Sequence, residues 1–342
     1  MDPITQAAFG ATAAQNTAKA TTRKQLLTAS ILGICGGMAP DLDVLIRSST
    51  DPLLFLQYHR HFSHSLFFIP IGGTIVGFLL YWLFAKHRGF SLKASIGFAT
   101  AGYATHALLD ACTTYGTLLL WPLNNVRYSW NTVSVIDPAV TLPVLILLIT
   151  HFIKNQVVYA RLAVLWIAIY LSLGWVQRER AEDIGLKLAT DRRHTPTQLS
   201  AKPSFANILL WKIVYEYEGK FYVDAVRVGL STKVYPGESI HKLNLQRDLV
   251  WLKPDSVQAK DVARFDWFSQ RYLALDPQVE NRIIDIRYSL LPNQIAGLWS
   301  IQLNPSASHS SHAAYTIHRE RSEATMNTFW AMLKGEDISE AP

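Results

Sequence analysis

The stretch LFFIPIGGTIVGFLLYWLFA, residues 66–85, decides how the rest of the chain is read. It carries no charge over a length that suits one α-helical crossing of a hydrocarbon layer about 30 Å thick. Outward from it, apolar runs recur through the first half. One covers 25–40 and resumes past Asp41 and Asp43 to about Ile46; others cover 94–109, 138–153 and 162–177. The 94–109 run is rich in small residues, which closely packed membrane helices use at their contacts. Several runs are short, so the expectation is a polytopic helical domain of about five spans, with four to six as the range.

The averages hide this division: 49% of the residues are hydrophobic and 17% charged, and most of the charge follows residue 177. Two domains are therefore expected, a transmembrane one over 1–177 and a soluble, strand-rich α+β one over 178–342. In the second, 208–217 and 220–230 read as strands joined by a turn at Glu218-Gly219, 282–290 as another strand and 326–333 as a helix. His309, His312 and His318 lie in a Ser-rich stretch and read as a solvated loop.

The net charge of +6 does not indicate nucleic acid, because the basic residues form no stripe with interleaved aromatics. They sit in short loops between the apolar runs. Lys19, Arg23 and Lys24, then Lys86, Arg88 and Lys93, then Lys154 and Arg161 mark one side; Arg47, Arg60 and Arg127 mark the other. The richer loops are expected in the cytoplasm. The opening residues carry no signal-peptide pattern, so insertion is expected to rely on retained helices. Cys35 and Cys112, the two cysteines, lie in or beside apolar runs and support no disulfide framework.

Four groups of polar residues fall at the poorer-charged face. They are Pro40-Asp41-Leu42-Asp43, the run from His59 to Ser65, the pair His106 and Asp110, and Asp137-Pro138. Imidazole and carboxylate are the donors that zinc and similar divalent ions take. His106 and Asp110 stand at i and i+4, on one helix face. Ionisable groups beside membrane spans are costly unless paired or ligated. The expected metal ligands are His59, His64, His106 and Asp110, with Asp41 or Asp43 completing the set and His61 and Asp137 as further candidates. The other acid of the Asp pair would act as base or orienter, and Arg60 would offer its guanidinium to an anionic ligand. Plainer readings stand beside these: His106 as a hydrogen-bonded core residue, the 59–64 run as an interfacial belt, and Asp137 as a helix cap ahead of Pro138.

At these motifs the chain resembles a known family. The features are Met1-Asp2-Pro3-Ile4-Thr5-Gln6 followed by Gly10; Pro40-Asp41-Leu42-Asp43; His59-Arg60 with Ser63-His64-Ser65; and Gly102-Tyr103 with His106 and Asp110. Thr114-Tyr115-Gly116-Thr117 and Trp121-Pro122 follow in order. Over about residues 1–150 it resembles the YdjM-like membrane-bound metal-dependent hydrolases. That family is distantly similar to zinc-dependent phospholipase C and its nuclease relatives. The resemblance implies one or two divalent ions, zinc first, and a metal-activated water acting on a phosphoester or lipid-like envelope substrate. It implies an inner-membrane, multi-pass protein in contact with the lipid bilayer, with its site at the periplasmic face. Many members place His where this chain has Gln6. An amide is a poor zinc ligand, and the loop charges place the N-terminus on the opposite face, so residues 1–6 are expected away from the site unless 3–14 re-enter the membrane. The rival expectations are a non-enzymatic membrane protein with a structural or sensory metal site and a partner-binding soluble domain, and a transporter using buried His and Asp as an ion path.

Overall fold

The computed structural model describes residues 1–17, 22–318 and 322–338; Lys19 of the charge pattern lies outside them. The chain forms two compact units, Met1–Leu45 with Tyr58–Trp175 and Phe205–Asn207, and Ile46–Gln57 with Val176–Ser204 and Ile208–Pro342.

The first unit is helical. It holds α1 (Pro3–Thr17), α2 (Arg23–Met38), α4 (Ile69–Leu80), α5 (Leu92–Ala111), α6 (Pro138–Lys154) and the first part of α7 (Val158–Asp191). The short helix α3 (Leu54–Tyr58) precedes α4 in the chain. Thr22 and Gln25 form a capping box that starts α2, and Ser91 and Asp137 cap α5 and α6. The α1–α2 pair is antiparallel: Gly10 meets Gly33 and Gln6 meets Gly37. Gly102 of α5 also lies against Gly33, so three helices touch backbone to backbone at this level.

Among the described residues, two helices are long and apolar enough to cross a membrane, Leu66–Arg88 and Val158–Asp191, rather than the expected four to six. The lengths explain the correction. Helices α1, α2 and α6 have 15, 16 and 17 residues, and at about 1.5 Å per residue none covers a layer about 30 Å thick. Helix α5 is longer, but Ser95, Thr100, Thr105, His106 and Asp110 make it too polar to pass the same test.

The second unit carries the strands. One antiparallel sheet runs β1 (Gln198–Pro203), β2 (Leu210–Tyr217), β3 (Lys220–Val228), β4 (Thr232–Tyr235), with β5 (Ser239–His241) also on β3. The other, also antiparallel, orders β6 (Leu273–Leu275), β7 (Arg282–Asp285), β8 (Trp299–Gln302) and β9 (Ala314–Ile317). Helices α8 (Leu245–Asp248), α9 (Val257–Phe268) and α10 (Glu323–Lys334) complete it. The β2–β3 hairpin turns at Glu218 and Gly219, with φ of 46° and 70°, the two left-handed residues that a two-residue turn of this hand requires. Val214, Phe221, Val223, Tyr272, Ala274, Ile284 and Ile286 from both sheets share one core.

That core also holds lysines. Lys202 and Lys212 are cross-strand partners, both buried, and burial pushes each ammonium pKa down to about 7. The unfolded chain keeps these protons to about pH 10.4. It therefore binds more protons than the folded chain between about pH 7 and pH 10, and stability rises with pH across that window. Lys202→Met is expected to stabilise this unit at pH 7 by up to about 4 kcal/mol and to flatten the rise. Denaturant unfolding of the full chain in detergent at several pH values reads both effects. An unchanged pH slope contradicts the assignment.

Candidate metal centre

The site is built at one end of the helical unit, where α2 stops. Its last turn passes into a tight 3-10 segment, Ala39–Leu45, which presents Asp41 and Asp43. A second such turn, Phe62–His64, leads into the long apolar helix and presents His64. Helix α5 contributes His106 and Asp110 from adjacent turns of one face.

Two groups of donor atoms result. Asp41, His64, His106 and Asp110 form one, and Asp41, Asp43 and His59 the other; within each group the donor atoms all lie within 4.8 Å of one another. Asp41 belongs to both. His64, His106 and Asp110 are fully buried, whereas the Asp41 side chain keeps 28% of its surface exposed. The two imidazole Nε2 atoms are 2.9 Å apart. Asp110 Oδ2 lies 3.2 Å from His64 Nε2 and 3.4 Å from His106 Nε2, and Asp41 Oδ1 lies 3.5 and 3.4 Å from the same atoms.

The hydrogen bonds around this cluster fit a cation. His106 Nδ1 donates to the Gly37 carbonyl at 2.6 Å, so in the neutral imidazole Nε2 bears the lone pair. That lone pair faces carboxylate oxygens and a second imidazole. Asp110 Oδ2 is buried and makes no aligned hydrogen bond, although the Arg60 Nε stands 3.0 Å away. Burial alone would lower the His64 pKa, yet the carboxylates of Asp110, Asp41 and Asp43 push it up to about 10. The surroundings therefore favour positive charge at this point. The donor set, two imidazoles and two carboxylates, is one that zinc accepts.

Around the donors stand groups that orient them. Asp43 accepts from the Arg60 backbone N–H and the Ser63 hydroxyl at 2.8 and 2.9 Å, and it pairs with His59 Nδ1 at 2.8 Å. Burial would raise its pKa, but the hydrogen bonds from His59 and His64 hold it below the ordinary carboxylate range. Tyr103 donates to the Ser63 carbonyl at 2.7 Å. Arg60 is buried, with a left-handed backbone at φ 61°. Its Nε lies 3.0 Å from Asp110 Oδ2, its Nη1 donates to Thr113 at 3.0 Å, and its guanidinium covers the Tyr115 ring at 4.5 Å.

The N-terminal segment corrects the sequence expectation. The Gln6 amide donates to Asp110 Oδ1 at 3.0 Å, and the Met1 amino group contacts the same oxygen. Helix α1 doubles back on α2, so residues 1–6 return to the site's end of the unit; the loop charges marked the α1–α2 connection instead. His61 joins neither group: its ring lies against Trp121 at 5.4 Å, and its Nδ1 is buried without a partner. Asp137 also stays apart, capping α6 through Ala139 and accepting from the Tyr170 hydroxyl at 2.8 Å. Ser63, Tyr103 and Thr113 were not among the expected site residues. The first two lie inside motifs already quoted; nothing local in the sequence marks Thr113.

The second unit holds a further cluster. His312 pairs with Asp261 at 2.9 Å and, with Asp51, forms another group of possible donors, so it is not the solvated loop residue expected. Arg264 already bonds to both acids, at 3.0 Å to Asp51 and 3.2 Å to Asp261, so a cation of the chain's own occupies this cluster. His309 pairs with Asp255 at 3.0 Å, and His318 with Ser300 at 2.8 Å.

No curated protein and no solved structure matches the chain. The family model described as YdjM inner membrane protein matches residues 1–181, more than half of the 342, and takes in every donor of the centre. With the helix Leu66–Arg88, most of Val158–Asp191 and the His/Asp centre inside that stretch, the chain belongs to the YdjM inner membrane protein family.

Proposed function

We propose that the His/Asp centre holds a divalent metal, zinc first, and hydrolyses a phosphoester of the membrane or envelope. The observation that carries this reading is the convergence of Asp41, His64, His106 and Asp110, with Nε2 of His106 freed for a ligand by its bond to Gly37. A bound ion of this kind activates water and polarises a phosphoryl oxygen. The chain's own groups supply the rest. Asp43, fixed by Ser63 and the Arg60 N–H, orients His59 and His64. Arg60 sets a guanidinium against Asp110, where an anionic phosphate would meet positive charge. Asp41, the more exposed donor and the one shared by both groups, leaves the side on which substrate would arrive. Two ions, one in each group, are compatible with that sharing.

The site is proposed at the periplasmic face of a multi-pass inner-membrane protein. His64 stands two residues before the start of the helix Leu66–Arg88, whose far end carries Lys86 and Arg88, the residues expected in the cytoplasm.

Turnover of phosphomonoester, phosphodiester and phospholipid panels by the purified, metal-supplied protein tests the reading. Activity that chelator abolishes and metal restores, and that His64→Ala removes, is expected. Inactivity across all three panels sinks it. A second reading, a structural or sensory metal site, is favoured by one observation: three of the four donors are fully buried, as in a closed site. Metal bound with no exchangeable water ligand and no turnover would select it.

A further inference from the structure

A groove of about 460 Å³ runs along the helical unit between α1, α2 and α6. From α1 it is lined by Pro3, Ala7, Ala11 and Gln15, and its opposite wall includes Met38 and Ile149. One end of its lining neighbours the metal centre along the chain: Met38 follows Gly37, whose carbonyl accepts from His106, and Pro3 lies between Met1 and Gln6, which both contact Asp110. From Pro3 to Gln15 the groove follows α1 for about 18 Å at 1.5 Å per residue. One leaflet contributes about 15 Å to a hydrocarbon core about 30 Å thick. The lining is almost wholly apolar until its far end. There Gln15 donates to the Ser30 hydroxyl at 3.0 Å, both residues are buried, and Gln15 Oε1 has no partner. A hydrocarbon chain reaching that point would meet polar groups it cannot satisfy, so the groove has a defined end.

We propose that this groove binds one acyl chain of a glycerophospholipid whose phosphate head group reaches the His/Asp centre. The inference rests on the phosphoester reading and names its substrate class. A groove about one leaflet long with a polar stop at Gln15 and Ser30 is a feature that a general lipid-facing surface has no reason to show.

A phosphatidylglycerol bearing a diazirine at the end of one acyl chain, photolysed with the purified full chain, tests it by mass-spectrometric mapping of the adducts. Adducts concentrated on the groove-lining segments of α1, α2 and α6 are expected. Ala7→Trp, which fills the groove, should weaken that labelling about tenfold, equivalent to about 1.4 kcal/mol. Ile149→Trp does the same from an exposed position should Ala7→Trp fail to fold. Ile75→Trp, on the exposed face of α4, should leave it unchanged. Labelling should persist in the His106→Ala, Asp110→Ala variant, because docking does not need turnover. Adducts spread evenly over α4 and the groove, or labelling untouched by both groove variants, overturn the inference whatever the hydrolysis assays give. Groove labelling without hydrolysis leaves the lipid site standing and removes the enzyme reading.

Discussion

Gly102→Val is expected to prevent assembly of the helical unit. A Cβ added at Gly102 would lie 2.1 Å from the Gly33 carbonyl oxygen, and one added at Gly33 would lie 2.3 Å from that of Gly10. These neighbours are backbone atoms, which cannot swing aside as a flexible side chain can. Relief requires α1, α2 and α5 to separate, and these three helices carry Gln6, the Gly37 carbonyl, His106 and Asp110. Overpacking of an ordinary core costs about 1–3 kcal/mol. Here the contact is backbone on backbone at a three-helix junction, so the cost should reach a large part of the ~5–15 kcal/mol that holds a typical domain. Size-exclusion profiles and thermal unfolding in detergent read the effect. Gly97→Val, on the same helix with open space around it, serves as the control and should behave as wild type. A monodisperse Gly102→Val protein with unaltered thermal stability would show that the close approach is not needed.

Much of this architecture was legible from sequence, and the misses have physical causes. The β2–β3 hairpin was readable because Glu218-Gly219 interrupts two β-branched, aromatic runs with a turn signal. The donors on α5 were readable because i, i+4 spacing fixes a shared face. The span count was overstated because an apolar run does not reveal where its helix stops. The run at 25–40 ends α2 at Met38 and turns 3-10 at Ala39, and short helices packed through glycines look like spans in composition alone. Loop charge placed residues 1–6 at the far face. It could not register that α1 and α2 form a hairpin inside the first apolar region. Asp137 and His61 were chosen for their residue types; the neighbours that set them apart, Tyr170 and Trp121, are distant in sequence. Third-dimension partners such as Thr113 on Arg60 carry no local pattern at all.

The second large effect concerns the metal. Replacing His106 and Asp110 together by Ala removes two of the four donors of the buried group and leaves Asp41 and His64 facing a void. Two remaining donors do not complete the four-coordinate shell that zinc takes, so tight binding should be lost. His61→Ala is the matched control, since His61 lies outside both donor groups and should leave the metal in place. Size-exclusion profiles of all three proteins separate loss of metal from loss of fold. The deciding measurement is elemental analysis of the native chain beside the His106→Ala, Asp110→Ala variant, purified identically and without added metal. At least one equivalent of divalent metal in the native chain, and about one equivalent less in the double variant, is the expected result; equal metal content in the two contradicts a metal centre at these residues.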